Sequence, residues 1–217
     1  KPSGSQTIFV PHLKVVLFGI PRTSGLRFYH LNCSTKWSLR YVLARDSSQN
    51  LIQNRTTLSE CMTGSIVGLF VSPNGGVPKF PHPEIVVQPS GCLDDKQNDT
   101  KHHGGPSRAV CILCEEVLHK LQNEGHPIYE GSTGENILIR GIDWKSLGIG
   151  SVLSTSTLSV RITAAATPCR TIQDSFLNGD FSQLSHQKFN NQTRWYAEVL
   201  DPGVLIIGMD VEVSNFS

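Results

Sequence analysis

From residue 63 onward the chain breaks into short apolar runs, each closed by a turn signal, and this texture limits what it can fold into. Residues 65–71 form a nearly continuous apolar strand, followed by the turn signal Asn74-Gly75-Gly76. Residues 85–88, 137–139, 151–153, 157–163 and 195–200 read as further strands. In residues 157–163, Leu158, Val160 and Ile162 alternate onto one face. Asp201-Pro202-Gly203 is a turn, and residues 204–213 are a closing strand or pair. The strongest helical pattern covers residues 107–124: Val110, Leu113, Val117, Leu118 and Leu121 fall at helical spacing, Pro106 precedes them and Gly125 ends the run. Residues 144–147 read as a helical turn, and residues 171–177 as a short helix closed by Asn178-Gly179. Residues 90–106 are a polar loop too long for a simple connector. Many short strands with a few inserted helices imply a mainly β, barrel-like domain over residues 63–217.

Residues 1–62 differ in texture and read as an N-terminal extension of unknown role, either poorly ordered or a small lid on the main domain. Strands are expected there at residues 7–10 and 14–18, and a strand or short helix at 37–44. Among 217 residues the formal charge is only +1 and 17% are charged, so no broad field favours nucleic acid as a stable partner or an anionic lipid surface. No run approaches the roughly twenty apolar residues that span a bilayer. The run Val15-Val16-Leu17-Phe18-Gly19-Ile20 is short, lies between Pro11 and Pro21, and lacks the cleavage pattern of a signal peptide. Six cysteines, at 33, 61, 92, 111, 114 and 169, allow disulfides, but a chain this long does not depend on them, which favours a reducing compartment. The expected location is cytoplasmic. An organellar one stays open, because the chain begins at Lys1 and reads as trimmed. The sequons at Asn32, Asn54, Asn98, Asn191 and Asn215 are common by chance in a chain rich in Asn, Ser and Thr.

Cys169 is the residue with the most chemistry attached. It follows the strand at 157–163, with Pro168 before it and Arg170 after it. A neighbouring cation favours the thiolate, the form that attacks, carries sulfur or binds a soft metal. Read without context, a lone cysteine is more often an inert buried one. Two glycine-rich runs, His102-His103-Gly104-Gly105-Pro106-Ser107-Arg108 and Gly131-Ser132-Thr133-Gly134-Glu135-Asn136, suit an anion site. Glycine N–H groups leading into a helix N-terminus make an anion cradle, and Arg108 adds a bidentate contact; the plainer alternative is a turn with Ser107 as an ordinary cap. Cys111-x-x-Cys114, with His102, His103 and His119, has tempting zinc spacing, but no second pair follows, and these cysteines read as core positions of a helix. Lys79, Glu135 and Arg194 each suit either a ligand contact or a structural role. No Ser-His-acid order, Walker loop or four-cysteine cluster spacing occurs, so a reductase of this sequence would need electrons from a separate protein.

Five runs, in order, resemble the MOSC domain, the family named for the C-terminal domain of molybdenum cofactor sulfurases. They are Gly75-Gly76-Val77-Pro78-Lys79, the stretch from His103 through Cys111, Gly134-Glu135-Asn136, Pro168-Cys169, and the stretch from Arg194 through Leu200. The resemblance covers about residues 63–213 and is closest to the small stand-alone members, similar to bacterial reductases of N-hydroxylated bases. It implies a β-barrel fold and a molybdenum cofactor, a pterin dithiolene carrying a phosphate. It implies Cys169 as molybdenum ligand and catalytic residue, with Lys79, His103, Gly104, Gly105, Arg108, Glu135, Asn136 and Arg194 as cofactor-binding residues. An electron-donating flavoprotein or cytochrome would be the partner. An alternative within the family is a sulfur carrier holding a persulfide on Cys169, fed by a sulfur donor; a second alternative is an inactive domain. One departure stands out: the family's usual Gly-Asp is Asp94-Asp95 here. A positive φ at that place would strain Asp94, although Asp tolerates it better than most residues.

Overall fold

The computed structural model describes residues 62–96, 104–189 and 192–214, together with the backbone of four strands before residue 62. Residues 1–61 and 62–217 form two units. In the first, β1 (Thr7–Val10) pairs with β2 (Leu13–Val16), and β3 (Leu26–Leu31) with β4 (Leu39–Ala44), both antiparallel. The expectation of a poorly ordered extension or lid otherwise lies outside the described residues.

The second unit is mainly β. Its strands are β5 (Met62–Val71), β6 (Phe80–Pro81), β7 (Glu84–Gln88), β8 (Gly91–Cys92), β9 (Val110–Cys114), β10 (Ile137–Arg140), β11 (Val152–Ser154), β12 (Ser159–Ala166), β13 (Arg194–Asp201), β14 (Gly203–Ile206) and β15 (Asp210–Ser214). Seven of them close a barrel in the order β10-β9-β13-β12-β11-β15-β5 and back to β10, with β6 attached to β5. Closure removes the exposed edges that an open sheet leaves. All the barrel pairings are antiparallel except β9 with β10. β14, β7 and β8 form a separate three-stranded sheet. The barrel is filled by branched aliphatics, among them Ile66, Ile112, Ile137, Ile139, Leu153, Val160 and Val211, all buried. Each such side chain contributes roughly 1.5–3 kcal/mol when withdrawn from water.

The one parallel pair explains where the sequence pattern misleads. A helix over residues 107–124 is expected, but residues Val110–Cys114 are strand β9, and only Glu115–Asn123 are helix α1. All five residues of β9 are buried, so both faces of the strand are covered. A strand covered on both sides reads as a continuous apolar run with no alternation, and a run of that kind suits a helix equally well. α1 is the crossover that a parallel pair requires, and it packs Val117, Leu118 and Leu121 inward. The remaining helical expectations become 3₁₀ turns at Trp144–Ser146 and Arg170–Ser175. Among the described residues no helix is long and apolar enough to cross a membrane.

Asp94 adopts φ 63, in the left-handed region. The backbone therefore keeps the conformation that glycine serves more cheaply. Asp94→Gly is expected to raise stability by up to about 1 kcal/mol, and Asp94→Val to lower it by about 1–2 kcal/mol, in urea unfolding. Equal stability of the two variants would show that the turn carries no strain.

Candidate functional site

The five sequence runs, far apart along the chain, meet at one cleft of about 620 Å³ on the outer side of the barrel wall. That size suits a small molecule or cofactor. Each run supplies lining residues: Lys79 from the first, Arg108 and Cys111 from the second, Asn136 from the third, Cys169 from the fourth, and Arg194 with Tyr196 from the fifth. Alternation decides which residues point there. In β9 Ile112 faces the barrel interior, so Cys111 faces outward; its cross-strand neighbour Tyr196 on β13 does the same. The cysteines at 111 and 114 therefore lie on opposite faces of a strand. They are not neighbours on a helix, as their spacing first implies, and Cys114 instead donates to Glu116 Oε2 at 2.7 Å.

Charge is distributed unevenly around this cleft. Among the described residues its lining holds four cations, Lys79, Lys96, Arg108 and Arg194, and no carboxylate. Arg108 lies with its guanidinium 5.7 Å from the centre of the Tyr196 ring, within cation–π range. Burial pushes the Tyr196 hydroxyl above its ordinary pKa, so it stays protonated near neutral pH. Cys169 is partly exposed, whereas Cys92, Cys111 and Cys114 are buried. Burial also raises the Cys111 thiol, and it pushes Cys92 up to about 12. Cys169 sits in extended backbone, φ −137 and ψ 173, immediately before the 3₁₀ turn at Arg170–Ser175. Arg170 does not line the cleft; its Nε donates to Gln173 Oε1 at 3.3 Å.

The glycine run before β9 departs from expectation. Gly104 and Gly105, with φ 84 and 75, lead into a 3₁₀ turn of three residues, Pro106–Arg108, and not into a helix. A single short turn has no macrodipole of consequence, so the positive potential here comes from the arginine and lysine side chains. Gly104 lines the cleft and Gly105 does not. His103 lies outside the described residues.

Three of the expected contacts are held chiefly by the protein itself. Lys79 Nζ donates to Asp95 Oδ2 at 2.5 Å. Asn136 lines the cleft, yet its Oδ1 accepts from the Cys111 N–H at 3.1 Å, and its Nδ2 donates to Phe70 O at 3.2 Å and Asp95 Oδ2 at 2.9 Å. Glu135 is fully buried behind the wall. Asp95, not among the expected site residues, is the hub of this wall: besides Lys79 and Asn136 it accepts from the Ser72 N–H at 2.8 Å. Its sequence signal is its place as the acid of the family's Gly-Asp, the second residue of Asp94-Asp95.

A phosphate-bearing pterin with a soft metal centre fits this set of groups. Arg194 is 4% exposed, and its Nε has no hydrogen-bond partner among the described residues. A buried guanidinium with an open donor is costly unless an anion completes it. Gly134, at φ 85, lines the cleft, and a Cβ there would come within 3.0 Å of Val77 Cγ1 and 3.9 Å of Arg194 Nη1. Glycine thus keeps open space beside the arginine.

Comparison with known proteins converges on one family. The family model described as MOSC domain matches residues 99–212, just over half the chain. The chain is similar to the uncharacterized protein YflK of Bacillus subtilis (strain 168), 26% identical over 120 residues, covering 55% of this chain and 53% of that one. It is similar to protein YiiM of Escherichia coli (strain K12), 23% identical over 124 residues, covering 55% and 54%. The aligned part thus spans about half the length of these curated relatives. Among solved structures, the YUAD protein of Bacillus subtilis superposes with a TM-score of 0.61 at 17% identity, covering 72% of this chain and 98% of that one. At that identity the likeness is one of fold.

Proposed function

The chain belongs to the MOSC domain family, and from that premise we propose that its cleft holds a molybdenum cofactor with Cys169 as the protein ligand to the metal, for reduction of N-hydroxylated substrates. The observation that carries this reading is a partly exposed thiol in a cleft lined, among the described residues, by Lys96, Arg108 and Arg194, by Lys79 paired to Asp95 behind it, and by no carboxylate. A thiolate suits a soft metal centre, and the cations suit a pterin phosphate. When bound, the cofactor supplies the two-electron chemistry that converts N–OH to N–H and water with uptake of two protons. The protein binds and orients. Cys169 would fix the metal end, and Arg194 and Arg108 would hold anionic oxygens. Electrons would come from a separate flavoprotein or cytochrome.

Elemental analysis tests the reading. The chain purified from a cofactor-competent host should carry molybdenum, and Cys169→Ser should lower that content at least about tenfold by removing the ligand. Equal metal in both proteins would overturn it. Intact-mass measurement separates it from sulfur carriage: a reductant-sensitive gain of one sulfur on Cys169, without molybdenum, marks a carrier fed by a sulfur donor.

A further inference from the structure

Glu135 is a buried acid for which direct ligand contact supplies no role, because it is 0% exposed and does not line the cleft. Its Oε1 accepts from the Gly131 N–H at 2.6 Å, and its Oε2 accepts from Thr133 Oγ1 at 2.7 Å. These two bonds close the turn of residues 131–135 upon itself. The same turn then reaches across to the cation: the Thr133 carbonyl accepts a hydrogen bond from Arg194 Nη1. A carbonyl orients a guanidinium without neutralising it, whereas a carboxylate in that place would cancel its charge. Arg194 thus keeps its full charge and an unpartnered Nε while lining the cleft. The two buried carboxylates of the wall act differently. Asp95 pairs directly with Lys79 and offsets its charge, whereas Glu135 is separated from Arg194 by the threonine and its carbonyl.

We propose that Glu135 is a positioning residue. By clamping the Gly131 N–H and the Thr133 hydroxyl, it fixes the Thr133 carbonyl that aims Arg194, and so preorganises Arg194 for the phosphate of the bound ligand. This deepens the reading of the cleft as an anion site and rests on it.

Inorganic pyrophosphate titrated calorimetrically into the full chain, prepared free of molybdenum, reads the effect without any turnover. Arg194→Ala should weaken binding at least about tenfold, the usual loss for one charge-assisted contact. Glu135→Ala should weaken it comparably. In the double variant Glu135→Ala/Arg194→Ala, binding should stay within about twofold of Arg194→Ala alone, because coupled residues are non-additive. Glu135→Gln should restore most of the affinity, since its amide oxygen still accepts from the Gly131 N–H and the Thr133 hydroxyl rotates to accept from its NH₂. Thr133→Val, which removes one bond of the clamp and retains the side-chain shape, should weaken binding about threefold in the unsubstituted background and not at all beside Arg194→Ala; it serves if Glu135→Ala fails to fold. Independent, multiplying losses, or a folded Glu135→Ala with unchanged affinity, would overturn the proposal alone. No pyrophosphate binding by the unsubstituted chain would overturn the anion-site reading and this proposal with it.

Discussion

Asp95→Ala should cost about 3–5 kcal/mol of folding stability, the loss typical of removing one partner from a buried ion pair. The Lys79 and Asp95 side chains are only 11% and 1% exposed, so water does not replace the missing carboxylate. Three donors lose their acceptor together: the Lys79 ammonium, the Asn136 amide and the Ser72 N–H. The damage reaches the site as well, because Lys79 and Asn136 both line the cleft. Asp95→Asn retains one acceptor oxygen and should fall between the unsubstituted chain and Asp95→Ala. Urea unfolding monitored by tryptophan fluorescence measures the difference. A loss below about 1 kcal/mol for Asp95→Ala would mean that the wall relaxes and solvates the ammonium.

Iodoacetamide should label Cys169 at least about a hundredfold faster than Cys92, Cys111 or Cys114 in the folded chain, since buried thiols react only after an opening event. Their chemistry adds to the contrast. Burial pushes Cys92 up to about 12; burial together with the hydrogen bond to Glu116 does the same for Cys114, and Cys111 is raised by burial too. Near neutral pH almost none of these three groups is thiolate, the reactive form. Peptide mass mapping over time gives the rates directly. Cys111 is the sharp control: it lines the same cleft, so comparable labelling of Cys111 and Cys169 would show that exposure does not distinguish them. Chain carrying molybdenum should protect Cys169 from the reagent.

The barrel strands were legible wherever one face met water. In β12, Val160 and Ile162 are buried while Arg161 is exposed, and this alternation shows in the residues themselves. β9 was not legible, since both its faces are buried, which erases the period, and its apolar run leads directly into helix α1. The same limit applied to the site. Cys169 and the five runs could be picked out from residue type and the family pattern, but type does not say which side of a wall a residue occupies. Glu135 and Asn136 are adjacent in one run, yet one is sealed behind the wall and the other lines the cleft. Asp95 carried little signal because its role depends on partners 16, 23 and 41 positions away.

From the residues alone came the mainly β class, the turn positions, and the cysteine and glycine runs, because period and turn chemistry are local properties. Barrel closure decided the rest. It brought residues 79, 108, 136, 169 and 194 to one cleft, turned two carboxylates into its supports, and left Arg194 Nε without a hydrogen-bond partner in the wall of the cleft that Cys169 also lines. Which charges are cancelled and which stay free depends on distances across strands, and those distances exist only once the ring of hydrogen bonds is complete.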